Sequence, residues 1–251
     1  MRFFLLSEPA LTRFLFFYPD AGCFAFEHVT ETLNRENTFG RLLPQLLENA
    51  GRITHFFYAD PCGCLGEFLP RTRQLTQLEG FEIKSAVFPI EWTFQKPDSV
   101  SIDRLLAMNA AFQLFPGENM VLVNLSRHPA LDILQGTTHL GGTDMPWLEC
   151  VVRGHFPESH HVLRPVIQKD PHFPQVTLRE LALQSVFEGS FEKWRQFLRE
   201  MYYRDTNPLF VTYGEDLQGI RLFRGVSDYH VDDLVEIGCR TLAFGCARQP
   251  A

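Results

Sequence analysis

Pro116-Gly117-Glu118-Asn119-Met120-Val121-Leu122-Val123-Asn124-Leu125 is the stretch that decides the fold class. Ahead of it, residues 101–115 place Ile102, Leu105, Leu106 and Phe112 at helical spacing, and the Pro-Gly pair stops that helix. Within it, Met120-Val121-Leu122-Val123 is apolar at every position rather than at alternate ones. A strand apolar on both faces belongs to a sheet covered on both sides. A helix followed by such a strand is the repeating element of an α/β protein.

Outward from this stretch, short apolar runs read as further strands at 3–6, 53–58, 83–88, 148–152, 162–167, 209–213, 220–223 and 241–244. Helices interleave with many of them. Residues 41–50 form one, with Pro44 in its first turn and Gly51 after its end. Thr177-Leu178-Arg179-Glu180 is a capping box that starts another. A helix capped by Ser190 carries Phe191, Trp194, Phe197, Leu198 and Met201 as a stripe expected to face the core. A short helix over 228–237 is expected to stop at Gly238. The expectation is an α/β or α+β architecture: a mixed, mostly buried central sheet with flanking helices in a single compact domain, 1–251. Glycine and proline clusters at 136–146 and 169–174 mark its weakest seams.

Composition narrows the function classes. With 251 residues and 45% hydrophobic content, the chain can bury a large core without disulfide or metal staples. The formal net charge of −7 speaks against a dedicated nucleic-acid binder, which needs a concentrated basic surface. The basic groupings, Arg71 with Arg73 and Arg195 with Arg199 and Arg204, read as solvated faces. No apolar stretch reaches the ~18 residues of a membrane helix. The apolar runs at 3–6 and 14–18 are too short for a secretion signal, so a soluble cytoplasmic protein is expected. The six cysteines read mostly as thiols, and Cys150 as a buried small hydrophobe.

In open α/β sheets, ligands bind beyond the carboxyl ends of the strands, where following helices offer free N–H groups. Glu8 follows the strand at 3–6, and Asp60 follows 53–58. Arg127 and His128 follow the Met120 strand, and Asp216 follows 209–213. If these strands run parallel side by side, Glu8, Asp60, His128 and Asp216 converge on one rim. His128 is then a general acid or base, and Asp60 or Asp216 orients it or holds a divalent metal such as Mg²⁺. Arg127 and Glu8 become the substrate-binding residues, with Arg127 gripping an anion.

Two local clusters are candidate metal ligands. Asp60-Pro61-Cys62-Gly63-Cys64 holds Cys62 and Cys64 at C-x-C spacing, which fits neither paired zinc ligands nor a C-x-x-C redox site. His155, His160 and His161 lie near Glu158 in one loop, where Pro157 precludes the helical spacing of a zinc helix. The dinucleotide, P-loop, G-x-S-x-G and H-E-x-x-H motifs do not occur in the sequence.

The reading that follows is a small-molecule enzyme, a hydrolase or transferase on an anionic substrate, working at strand carboxyl ends. The alternative is a non-catalytic protein-binding module, such as an inhibitor, an immunity-type protein or an assembly adaptor. An acidic chain with 24 Phe suits capture of a basic partner through aromatic anchors.

Overall fold

In the computed structural model, the Phe-rich opening of the chain folds on itself as an antiparallel pair, β1 (Arg2–Ser7) and β2 (Leu11–Phe17). The structure describes residues 1–7, 11–18, 23–29, 44, 46–61, 63–66, 68–93, 100–125, 130–144, 189, 192–193, 195–203, 206–214 and 227–245. They form two compact units. One comprises Met1–Pro89, Lys96–Ala110 and Val235–Ala251; the other comprises Ile90–Gln95 and Ala111–Leu234.

The first unit is built on a sheet of order β3-β2-β1-β4-β5. β3 (Cys23–Val29) pairs antiparallel with β2, while β4 (His55–Ala59) lies parallel to β1 and β5 (Phe81–Glu82) parallel to β4. Register aligns aromatic rings across the strands. Phe3 stacks on Phe16 at 4.6 Å and on Phe56 at 5.3 Å, while Phe4 stacks on Phe57 at 4.6 Å. Each such pair adds about 0.5–1.5 kcal/mol beyond its buried area. Phe3, Leu5, Phe14 and Phe16 form one core with Leu46, Leu65 and Phe68. Phe68 opens helix α1 (Phe68–Thr76), which the sequence reading had not marked. The opposite edge of that reading also shifts. Residues 83–88 are not a strand: a 3-10 turn occupies Ser85–Val87, with Ile83 and Phe88 buried around it.

Helix α2 (Ile102–Leu114) matches its expected span and ends just before Pro116-Gly117, where Gly117 has φ +80°. Its Asp103 accepts a 2.7 Å ion pair from Arg13 of β2. Residues 241–244, expected as a strand, belong instead to the last helix, α3 (Leu234–Gly245). Leu234, Cys239, Leu242 and Ala243 are among its buried residues, the last three at helical i, i+3, i+4 spacing. Gly238 does not end a helix. It lies inside α3, where an added Cβ would collide with the backbone carbonyl of Leu106. Close helix approach, and not chain termination, is the reason for glycine there.

The second unit carries a sheet of order β11-β10-β7-β8-β9-β6. β7 (Asn119–Asn124), β10 (Leu209–Tyr213) and β11 (Tyr229–Val231) run parallel. β8 (Ala130–Gln135) and β9 (Thr138–Asp144) form an antiparallel hairpin against β7, and β6 (Glu91–Trp92) joins β9. Gly136, placed in an expected seam, turns this hairpin at φ +55° inside the unit. The helix expected over 228–237 is divided: Tyr229–Val231 is strand β11 and helical structure begins at Leu234. The strands expected at 148–152, 162–167 and 220–223, the Thr177 helix, the 169–174 seam and Cys150 lie outside the described residues.

Val121, Val123, Leu131, Ile133 and Phe210 make the core on one face of this sheet, joined by Leu198 and Tyr203 from the helical segment that ends in a π turn, Arg199–Tyr203. The Tyr203 hydroxyl lies 2.8 Å from the Met120 carbonyl and 3.1 Å from that of Leu134. Burial pushes this phenol far above the ordinary tyrosine range, so it remains a donor. Of the three described residues of the stripe expected to be core on this segment, two are exposed. Leu198 is buried, but Phe197 is 50% and Met201 62% exposed, and Tyr202 adds to the exposed apolar surface. Phe191 and Trp194 lie outside the described side chains.

Candidate functional site

Directionality of the strands sorts the expected site residues into two groups. β1 and β4 are parallel neighbours in the first sheet, so their carboxyl ends lie on one edge, with Glu8 and Asp60 next in sequence. β7 and β10 are parallel neighbours in the second sheet, with Arg127 and His128 following one and Asp216 the other. Glu8, Arg127, His128 and Asp216 themselves lie outside the described residues, as do Cys62, His155, His160 and His161.

Asp60 is described, and its surroundings explain it. Its carboxylate accepts the backbone N–H of Cys64 at 2.7 Å and of Leu65 at 3.2 and 3.3 Å. The Asp60 carbonyl accepts the N–H of Gly63 at 3.2 Å, and Gly63 takes φ +65°. Asp60 thus closes the turn that leads from β4 toward α1, a local use that Asp favours. Cys64 is a half-buried cysteine in this turn, outside any disulfide. On the same edge, Ser7 ends β1 with its Oγ 3.3 Å from Thr12 Oγ1, both side chains buried.

The carboxyl edge of the second sheet holds a chain of three side chains. Thr212, on β10, and His230, on β11, are register partners across the parallel ladder. Thr212 Oγ1 lies 2.9 Å from His230 Nδ1, and His230 Nε2 lies 2.7 Å from Asp232 Oδ1. Thr212 is buried, His230 is 23% exposed, and Asp232 is 82% exposed. A carboxylate at Nε2 fixes a proton on that nitrogen, so in the neutral ring Nδ1 accepts from the threonine hydroxyl. The same hydroxyl also lies 3.2 Å from the Tyr229 carbonyl. The three groups therefore connect a buried hydroxyl to an exposed carboxylate through the imidazole ring.

The sequence carried a signal for this chain that was read otherwise. His230 and Asp232 stand two apart, the spacing that places side chains on one face of an extended segment. In the helix expected over 228–237 the same acids would occupy the first turn, which the helix dipole favours. A second imidazole–carboxylate pair lies wholly inside the sheet: His139 Nε2 and Asp132 Oδ1 are 2.7 Å apart and closed off from solvent, with Trp92 against the imidazole at 5.2 Å. Among the described residues, no group of three or more His, Cys, Asp or Glu side chains is placed to hold a metal ion. Nor is any described helix long and apolar enough to cross a membrane.

No protein-family model matches the chain, and no curated protein matches it by sequence. Solved structures match it by shape. A conserved protein of the Baf transcriptional-activator family from Campylobacter jejuni superposes with a TM-score of 0.50 at 16% identity, over 98% of this chain and 100% of that one. A protein assigned as 2-dehydro-3-deoxygalactonokinase from Sinorhizobium meliloti gives 0.49 at 10% identity, over 100% and 98% of the two chains. A Ppx/GppA phosphatase from Aquifex aeolicus gives 0.47 at 12% identity, over 90% and 72%. The first of these similarities carries the fold assignment: a mixed α/β chain with two mixed sheets and flanking helices, of the actin-like ASKHA type.

Proposed function

We propose that this chain is a phosphate-handling enzyme, a transferase or hydrolase acting on a small anionic substrate at the carboxyl edge of β7, β10 and β11. The observation that carries the reading is the Thr212–His230–Asp232 chain, which ends in an exposed carboxylate on that edge. Parallel strands gather ligand-facing residues at such an edge. The shared ASKHA fold supports phosphate chemistry by analogy of architecture alone.

In this reading Asp232 takes the proton from the attacking hydroxyl or water as the new P–O bond forms and the bond to the leaving group breaks. His230 is a positioning residue, holding the carboxylate from one nitrogen while Thr212 fixes the other. Arg127, His128 and Asp216 follow the neighbouring strands, and Arg127 supplies the cation for the substrate anion. Asp60 holds its turn in the first unit, and this reading assigns it no step.

The test is phosphate release and transfer from ATP and from p-nitrophenyl phosphate, with Mg²⁺ present. Asp232→Asn should lower kcat by about 10²–10⁴-fold. Thr212→Val, which removes the hydroxyl partner of His230 Nδ1, should lower kcat by less than Asp232→Asn and leave KM unchanged. Wild-type protein inert toward both donors, or Asp232→Asn with undiminished turnover, would refute the assignment.

The protein-binding alternative draws support from one observation: Phe197, Met201 and Tyr202 expose apolar surface on one helical segment. In that reading Phe197→Ser with Met201→Ser abolishes association with a protein partner, and Asp232→Asn leaves it intact.

A further inference from the structure

The amino-terminal ends of β10 and β11, at the opposite edge of the same sheet, border an open cleft of about 280 Å³. Glu192, Arg195, Arg199, Asn207 and Asp228 line it. The volume falls just under the roughly 300–1,000 Å³ of sites for drug-sized ligands, which limits any occupant to a small molecule.

Two guanidinium groups face this cleft in different states. Arg195 is anchored: its Nη2 donates to both carboxylate oxygens of Asp228 at 3.2 and 3.4 Å, and the group lies 4.8 Å from the Phe210 ring centroid. Asp228 is fixed in turn, because its Oδ2 accepts the Phe210 N–H at 2.7 Å and its own N–H donates to the Phe210 carbonyl at 2.8 Å. Arg195 thereby satisfies the one carboxylate it touches and still presents its remaining N–H groups. Arg199 follows four residues later, and among the described residues it has no hydrogen bond or ion pair. Its guanidinium offers a planar fork of donors matched to an oxyanion.

We propose that this cleft is a binding site for the oxyanion of a small phosphate or carboxylate compound, gripped by Arg199 and Asn207 beside the fixed Arg195. Glu192 is the opposing charge in the lining, so it weakens an anion and gives the proposal a second, opposite-signed test. The site is separate from the edge that carries Asp232, and its occupancy does not depend on the proposed catalysis.

The experiment measures the unfolding midpoint of the full chain with inorganic phosphate, with malonate, and with chloride at matched ionic strength. Phosphate or malonate should raise the midpoint by about 2–4 °C over chloride. A response to phosphate alone assigns a phosphoryl ligand, and a response to malonate alone assigns a carboxylate. Arg199→Gln should erase the response, and Glu192→Gln should enlarge it. Both substitutions sit on exposed or half-exposed positions and leave the Arg195–Asp228 anchor in place, so loss of the fold does not confound them. No response beyond chloride in wild-type protein, or an unchanged response in Arg199→Gln, overturns the proposal.

Discussion

The Asp132 carboxylate and the His139 imidazole meet at 2.7 Å between β8 and β9, each side chain 1% exposed. The two strands are joined there by polar residues inside the sheet. Removing one partner leaves the other buried without its counter-group, at a cost of about 3–5 kcal/mol. Urea unfolding of Asp132→Ala should show this loss. The double variant Asp132→Leu with His139→Leu should lose less than the two single leucine variants added together. Strict additivity would mean that the pair is not coupled.

Gly238 marks a close approach of α3 to α2, since a methyl group there meets the Leu106 carbonyl. Gly238→Ala should destabilise the protein by about 3 kcal/mol, the upper end of the usual overpacking penalty. Gly51 has open space around its Cβ position, so Gly51→Ala serves as a control expected to be near neutral. Similar thermal midpoints for the two variants would contradict the packing argument.

Asp60 holds its turn through three carboxylate contacts to backbone N–H groups. Asp60→Ala should cost about 1 kcal/mol, whereas Asp60→Asn, which keeps an acceptor oxygen, should cost only a fraction of that. Neither should change turnover once corrected for the folded fraction. A specific loss of kcat in Asp60→Asn would return this residue to the list of catalytic groups.

His55 faces Arg2 across the parallel pairing of β1 and β4. Burial first, and the Arg2 charge second, hold its pKa below 6.5. The unfolded chain therefore binds a proton near pH 6.5 that the folded chain takes up only at lower pH. This group's contribution is intact above 6.5 and erodes as pH falls through the window beneath it. His55→Gln should lose less stability than wild type between about pH 7.5 and about pH 5. Identical pH slopes would remove the effect.

Much of the fold was legible because the relevant elements state their own boundaries. The runs around Phe3, Phe56, Met120 and Leu209 are apolar and flanked by breakers, and α2 carries a regular stripe ended by Pro116-Gly117. The β8–β9 hairpin was not legible, because Asp132, His139 and two adjacent glycines interrupt its pattern. Residues 241–244 failed for a different reason: a four-residue apolar run has no period long enough to separate helix from strand.

The sequence by itself determined that strands buried on both faces alternate with helices, because side-chain hydrophobicity and local breakers act over a few residues. It also located polar residues just past several strands. Only the tertiary structure decided that those strands belong to two sheets, which places Asp60 after the strand that pairs with Glu8's strand, in a different sheet from the strands that precede His128 and Asp216. Strand order and direction depend on backbone hydrogen bonds between segments far apart in the chain, and no residue's own chemistry encodes its neighbour. The same pairing brought Thr212 to His230, eighteen residues on, and so joined side chains that the linear sequence keeps apart.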